Sequence, residues 1–232
     1  MSIAENIASI REKMNAAAIK AGRDPKDILL CAATKMNNAD AVRQAIAGGV
    51  DCCGENRVQE LTQKLSENAY TGAPVHFIGH LQTNKVKQVV GKVDLIQSVD
   101  SQHLASAINA QAGKIGIVQD VLLEVNIANE ESKSGFSIEE LYAFLEKTAD
   151  YSNIFIRGLM AIPPITQNST DNHKFFQEMY NLSVDIMGKK YDNVDVTILS
   201  MGMSDDFADA IACGSTMIRV GTAIFGARTY LT

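Results

Sequence analysis

The chain has 232 residues, of which 46% are apolar, and a formal net charge of -6 at pH 7. This length suits one α/β barrel or one large doubly wound domain, and the apolar content argues against intrinsic disorder. The acidic balance argues against a surface for nucleic acid or anionic membranes, although a single phosphate group needs only local donors.

The first predicted element is an amphipathic helix within Met1–Arg23. Its charges are interspersed, and it lacks the continuous apolar region of a signal peptide. No later window is apolar over the length that a membrane span requires. We therefore expect a cytoplasmic protein that has no membrane or nucleic-acid partner.

After this helix, short apolar runs alternate with helical patterns. The runs are apolar on both faces, which is typical of parallel strands, and each intervening helix is long enough for a crossover. The predicted strands are Ile28–Lys35, Val50–Asn56, Val75–Gln82, Leu95–Asp100, Val121–Asn126, Ile154–Pro163, Val196–Met201 and Thr216–Phe225. The predicted helices are Ala39–Ala47, Arg57–Asn68, Asn84–Val90, Gln102–Ala112, Ile138–Ala149, Asp171–Met187 and Asp205–Ala212.

Eight such units predict an α/β fold of the (β/α)₈ TIM-barrel type with an extra N-terminal helix. An open doubly wound sheet is the alternative. No linker or low-complexity stretch divides the sequence, so residues 1–232 are expected to form a single domain. Two residues are predicted to cap helices. Gly113 ends the helix after strand 4, and Ser204 is the N-cap of the helix after strand 7.

Function in a parallel barrel is expected at the carboxyl ends of the strands. Lys35 closes the first apolar run, where partial desolvation favours the neutral amine that carbonyl addition requires. A lysine that reaches the solvent, or that pairs with Glu55, is the structural alternative.

A second feature lies after strand 7, where a glycine-containing turn leads into a helix at Leu199–Asp206. Amides at such a turn bind anions, and barrels often bind phosphate after strands 7 and 8, where Gly221 and Thr222 add donors. Simple helix capping by Ser204 is the alternative, and the carboxylates that follow Ser204 would oppose a phosphate unless they point away.

Other polar residues leave alternatives open. Arg219 lies within the apolar strand 8, so it needs a partner, which is either an internal carboxylate or a ring acceptor. His76 and His80 are interpreted as structural, with a general-base role for His80 as the alternative. The four cysteines show no zinc-binding spacing, so we interpret them as small buried hydrophobes and predict no metal site.

Eleven segments match a known family when they are taken together. They are Ala32–Lys35, Gly54–Asn56, Val58–Glu60, His76–Gly79, Leu81–Gln82, Asn84–Lys85, Ser98–Asp100, Lys133–Gly135, Gly158–Met160, Leu199–Asp205 and Ile218–Gly226. With these segments the chain resembles the family of pyridoxal phosphate (PLP) homeostasis proteins. The resemblance covers nearly the whole chain in order, and it is specific as a set.

The resemblance implies a barrel like the N-terminal domain of alanine racemase, with PLP held as a Schiff base on Lys35. It implies that Arg219 faces the pyridine nitrogen, which keeps that nitrogen unprotonated and weakens carbanion stabilisation. The further cofactor-binding residues that it implies are Asn56, Ser200, Met203, Ser204, Gly221 and Thr222. The chain departs from the family at Arg57, where many members have tyrosine, and at His80, where others have proline.

The function that follows is a non-enzymatic carrier that buffers or delivers PLP, with no catalytic residue and no metal. Its expected partners are PLP and apo-enzymes that use PLP, and it is expected to be a monomer. A PLP-dependent amino-acid racemase is the alternative, and a Schiff-base aldolase or phosphosugar enzyme on the same fold is a third hypothesis.

Overall fold

The computed structural model describes residues 1–130, 133–164 and 169–226, with the side chains of residues 169–171 left out. Eight parallel strands close a barrel in which each strand pairs with the next along the chain and β8 pairs with β1. The strands are β1 Leu29–Ala33, β2 Cys52–Glu55, β3 Val75–Phe77, β4 Leu95–Val99, β5 Gln119–Glu124, β6 Ile154–Met160, β7 Val194–Ser200 and β8 Met217–Val220. The predicted barrel is thus confirmed, and the open sheet is wrong.

Helices follow the strands and cover the outside of the barrel. Among the described residues, every helix is too short or too polar to cross a membrane. The α-helices are α1 Ile3–Lys20, α2 Ala39–Ala47, α3 Val58–Ser66, α4 Gln102–Ile115, α5 Ile138–Leu145, α6 Ser169–Lys189, α7 Phe207–Ala212 and α8 Thr222–Phe225. The 3₁₀ helices are Pro25–Asp27, Thr83–Gln88 and Thr148–Asp150.

Helix α1 is the predicted extra element. It begins at a capping box, in which the Ser2 hydroxyl accepts from the Glu5 N–H and the Glu5 carboxylate accepts from the Ser2 N–H. Ile7, Ile10 and Met14 are buried on one face, which packs against α2, α7 and α8. The 3.6-residue spacing of these apolar positions is what turns one stripe of the helix toward the core.

Most element boundaries differ from the prediction by a few residues, as four examples show. Strand 8 ends at Val220, because Gly221 turns the chain into α8. The segment predicted as a helix after strand 3 is the 3₁₀ helix Thr83–Gln88. Helix α4 runs past Gly113, where we predicted its end, to Ile115, and its C-cap residue is Gly116, which has the left-handed φ of 71°. Helix α5 ends at Leu145, short of the predicted Ala149.

Candidate functional site

The mouth of the barrel brings the beginning and the end of the fold together. Ala32 of β1 is the register partner of Val220 of β8. A Cβ atom added to Gly221 would lie 3.4 Å from the Ala33 Cβ. Lys35, which follows β1, and Thr222, which follows β8, therefore lie on neighbouring sectors of one rim.

Lys35 is half-buried just beyond the last residue of β1. The preceding residue, Thr34, is fully buried, and its backbone N–H donates to the Gly54 carbonyl at 2.8 Å. Strand pairing thus holds the backbone at the base of the Lys35 side chain.

Behind Lys35 lies a buried ionic group, which we call the Glu55 cluster: Thr34, Glu55, Lys64 and Tyr70. The Lys64 ammonium lies 2.6 Å from Glu55 Oε2 and donates to the Thr34 carbonyl at 2.8 Å. The Thr34 and Tyr70 hydroxyls also donate to Glu55 Oε2, at 3.1 and 3.3 Å. Burial raises the pKa of Tyr70, which keeps its hydroxyl a donor. Glu55 therefore forms an ion pair with Lys64, and this pair fixes the carbonyl next to Lys35.

Asn56 continues from this cluster into the mouth. Its backbone N–H donates to Glu55 Oε1 at 2.8 Å. Its side-chain Oδ1 is buried and accepts no hydrogen bond from the part of the chain that the structure describes. A buried acceptor without a donor is costly, so this atom marks a place where a ligand or water is expected to donate.

Arg219 points into the barrel from β8 and is 5% exposed. One guanidinium nitrogen donates to Ser200 Oγ at 2.6 Å, and the other donates to the Ala161 carbonyl at 2.9 Å. Ser200 Oγ in turn donates to Gln97 Oε1 at 2.7 Å. Burial lowers the pKa of Arg219, while Cys31 and then Glu124 and Asp206 oppose that shift. Since a guanidinium stays protonated in proteins, the structure fixes a buried cation here.

The rim after β7 and β8 carries the predicted anion site. The Thr222 hydroxyl donates to Ser204 Oγ at 3.2 Å, and Thr222 is exposed while Ser204 is half-buried. Gly202 has a φ of 94°, and a Cβ added there would lie 2.6 Å from the Ala210 Cβ, so the turn requires glycine.

The predicted capping role of Ser204 is wrong, because α7 begins at Phe207 and Asp206 is its N-cap residue. Asp206 Oδ1 accepts a hydrogen bond from the Met203 N–H at 2.6 Å. Burial raises the pKa of Asp206, and the Met203 hydrogen bond opposes that shift. The Met203 donor that we predicted for an anion is thus occupied by a carboxylate of the chain itself.

A third sector, at the end of β5, is acidic. Burial, followed by repulsion from Asp100, raises the pKa of Glu124 to about 7, although Arg219 and His80 lower it. His80 is exposed, and its Nδ1 lies 3.1 Å from Asp100 Oδ2. Glu124 is therefore partly protonated near neutral pH.

The structure brings most of the predicted residues to this mouth in two groups. Asn56 accompanies Lys35 on the β1–β2 side, while the hydroxyls and amides of the anion site lie after β7 and β8, above Arg219 and Ser200. Sequence reasoning missed Lys64 and Tyr70, whose only signals are a lysine on the apolar face of α3 and an aromatic residue after it. Chemically, a lysine amine, a buried cation and paired hydroxyls suit a small anionic ligand that carries a carbonyl group.

Known proteins match this chain over nearly its whole length. Residues 2–229 match the family described as alanine racemase, N-terminal domain. A pyridoxal phosphate homeostasis protein of Aquifex aeolicus is 41% identical over 230 residues, which cover 99% of this chain and 100% of that protein. A protein of the same name from Escherichia coli strain K12 is 40% identical over 231 residues, which cover 98% of this chain and 97% of that one.

Solved structures also superpose on most of this chain. PipY of Synechococcus elongatus with PLP bound superposes with a TM-score of 0.84 and 34% identity, over 97% of this chain and 100% of that one. An alanine racemase of Clostridium difficile superposes with a TM-score of 0.74 and 16% identity, over 98% of this chain and 61% of that one. The second likeness concerns the fold alone.

Proposed function

Because the chain belongs to the family of pyridoxal phosphate homeostasis proteins, we propose that it binds PLP as a Schiff base on Lys35 and takes part in PLP homeostasis. The observation that carries the proposal is the half-buried lysine at the end of β1, next to the rim of β8 that bears the paired hydroxyls. PLP supplies an aldehyde that condenses with amines, a pyridine ring that withdraws electrons and a phosphate that anchors it.

On the covalent side, Lys35 is the nucleophile and the Glu55 cluster positions it. The cluster binds the Thr34 carbonyl through Lys64, so the backbone at Lys35 is held before any ligand arrives. Asn56 Oδ1, which has no donor within the described residues, is placed to accept a hydrogen bond from the ligand or from an intervening water.

On the opposite side, the Ser204 and Thr222 hydroxyls and the backbone around Met203 and Gly221 would hold the phosphate. Arg219 would face the pyridine nitrogen, and Ser200 holds the guanidinium through the 2.6 Å hydrogen bond. A permanent cation disfavours protonation of that nitrogen, and this makes carbanion chemistry at an amino acid less favourable.

The proposal therefore describes a carrier that buffers or delivers PLP, and not an enzyme. Residues 1–232 form one PLP-binding domain, which acts as a monomer in the cytoplasm and passes PLP to apo-enzymes. The names of the relatives support the homeostasis role, since they describe homeostasis proteins.

The decisive experiment is an absorbance spectrum of the protein loaded with PLP, before and after borohydride reduction. We expect a yellow protein that borohydride bleaches, with the label on Lys35 in peptide mass spectra. Lys35→Ala should lose the Schiff-base absorbance and keep its circular dichroism. Lys92→Ala, which changes an exposed lysine at the opposite end of the barrel, should change neither.

A colourless protein, or a label that remains elsewhere in Lys35→Ala, would overturn the assignment and favour the aldolase-like alternative. Rapid exchange of the alanine α-proton in deuterated water, lost in Lys35→Ala, would instead establish a racemase-like enzyme.

A further inference from the structure

The middle of the barrel interior holds two cysteines and a histidine that the proposed PLP site does not use. Barrel interiors are ordinarily filled by branched apolar side chains. Cys31 of β1 and Cys52 of β2 are register partners on adjacent strands. Both pack, apart from the main core, against Met217 of β8. His76 of β3 completes the group, which we call the Cys–Cys–His cluster.

The geometry of the cluster is that of a ligand set. The two Sγ atoms and one ring nitrogen of His76 all lie within 4.8 Å of one another, and all three residues are buried. Both thiols are free. Ligand atoms around a tetrahedral metal ion, at metal–sulfur distances near 2.3 Å and metal–nitrogen distances near 2.0 Å, are separated by roughly 3.5–4 Å. The 4.8 Å limit on the separations in the cluster is compatible with such a set.

We propose that Cys31, Cys52 and His76 bind a thiophilic metal ion, either Zn²⁺ or Cu⁺, inside the barrel beneath the PLP site. Two thiolates and an imidazole suit both ions, and the Met217 thioether is a soft neighbour that could complete the coordination. On binding, the ion replaces the thiol protons, which are released to water. A divalent ion with two thiolates is electrically neutral, which suits a site buried this deeply.

Gln97 links the cluster to the polar groups around Arg219. A metal-bound histidine usually donates its other ring nitrogen to a carbonyl or carboxylate oxygen. Gln97 Nε2 lies 2.9 Å from His76 Nδ1 and donates to Met217 Sδ at 3.1 Å, while Gln97 Oε1 accepts from Ser200 Oγ. Turning this amide by 180° would present Oε1 to the imidazole. That turn releases the Met217 sulfur toward the ion, and it requires the Ser200 hydroxyl to find another acceptor, so Gln97 and Ser200 must rearrange when the ion binds.

The sequence concealed this arrangement because the three residues come from three strands. Their separations along the chain match no local zinc motif. Cys53 provides an internal comparison, because it follows Cys52 directly but faces the outer core, between the barrel and the helices.

The test is to unfold the protein and refold it anaerobically with a reductant that does not bind metals, in the presence of Zn²⁺, Cu⁺ or a chelator. Refolding is used because all three ligand residues are buried in the folded protein. Native mass spectrometry then counts the bound ions. Refolding with Co²⁺ in place of Zn²⁺ reports thiolate coordination through charge-transfer absorption and tetrahedral ligand-field bands.

We expect one bound equivalent of Zn²⁺ or of Cu⁺, and the two arms identify which ion the site prefers. Cys52→Ala and His76→Gln should lose it, while the matched variant Cys53→Ala should retain it. Lys35→Ala should also retain the ion, so metal binding can be tested independently of Schiff-base formation. Gln97→Leu should weaken binding about 10–100-fold, as for other second-layer partners.

Refolded protein that holds neither ion would overturn the proposal. So would an ion that Cys52→Ala and His76→Gln retain as tightly as the parent, because the ligands would then lie elsewhere.

Discussion

The two sides of the proposed PLP site are built differently. On the β1–β2 side, the Glu55 cluster consists of fully or nearly fully buried groups that hold one another through an ion pair and several hydrogen bonds. On the β7–β8 side, Ser204 is half-buried and Thr222 is exposed. The Met203 N–H already donates to the Asp206 carboxylate. The side that bears Lys35 is therefore preorganised. On the anion side, a phosphate has to displace water from the hydroxyls and compete with the Asp206 carboxylate for the Met203 amide. The proposed carrier role, in which PLP is both held and released, would benefit from this division.

The largest effect is expected from breaking the Glu55 cluster. Lys64→Met leaves the Glu55 carboxylate buried without its cation, which should lower the free energy of unfolding by about 3–5 kcal/mol. Denaturant unfolding of the apo-protein measures this loss. Lys189→Met, which removes an exposed ion pair with Asp185, is the control and should change stability far less.

A double variant decides whether the ion pair is the cause. Glu55→Gln combined with Lys64→Met removes both charges, so it should be more stable than Lys64→Met alone. The losses of stability in Glu55→Gln and in Lys64→Met are measured separately for comparison. If the loss in the double variant equals their sum, the two residues do not act as a pair, and the β1–β2 side is not preorganised by an ion pair.

A pH effect is expected from Glu124, which lies outside both sides. Its pKa rises from an ordinary value of 4.5 to about 7 in the folded protein, so the folded state binds more protons than the unfolded state in that interval. Stability should fall as the pH rises from about 4.5 to 7, by up to roughly 3 kcal/mol. Glu124→Gln should remove this fall, and urea unfolding of the apo-protein at pH 5 and pH 8 measures it. An equal fall in the variant would assign the effect to another group.

The anion side is tested by Ser204→Ala. Loss of one hydrogen bond should weaken PLP binding by about 1 kcal/mol, or more if the contact is to charged phosphate. Equilibrium dialysis against PLP gives the affinity, and Thr71→Ala, an exposed hydroxyl far from the mouth, should leave it unchanged. If Ser204→Ala binds as tightly as the parent, the phosphate lies elsewhere.

The smallest effect, of opposite sign, is expected from Asp206→Asn. Removing a partly screened negative charge beside the Met203 amide should tighten PLP binding by roughly two- to fivefold. Asp205→Asn, which changes the exposed neighbour, should have a smaller effect. Weaker binding in Asp206→Asn would mean that the carboxylate orders the anion site instead of competing for it.

The sequence was sufficient for the barrel because each strand is a short apolar run and each crossover has helical spacing. Lys35 stood out as a candidate because a lysine that ends an apolar strand is unusual, and its role stays a prediction. The end of β8 was misplaced because Thr222–Phe225 is apolar enough to read as a strand, and only the turn at Gly221 reveals α8.

The partners of buried charges were harder to predict. Glu55 has two candidate lysines, Lys35 and Lys64, and only the direction of α3 shows that Lys64 reaches it. The Asp206 contact depends on one loop geometry, and the Cys–Cys–His cluster depends on strand order. The Asp206–Met203 contact spans only three residues and the Glu55–Lys64 pair spans nine, whereas the cluster joins three strands. The local periodicity of apolar residues carries no information about any of these contacts.

The closure of the barrel between β8 and β1 has a consequence for the order of assembly. Lys35 and the proposed phosphate donor Thr222 lie far apart along the chain, and they become neighbours only when the last strand pairs with the first. If PLP binds as proposed, a partly formed barrel lacks a complete site for it, so the appearance of yellow colour during refolding would report the final strand pairing.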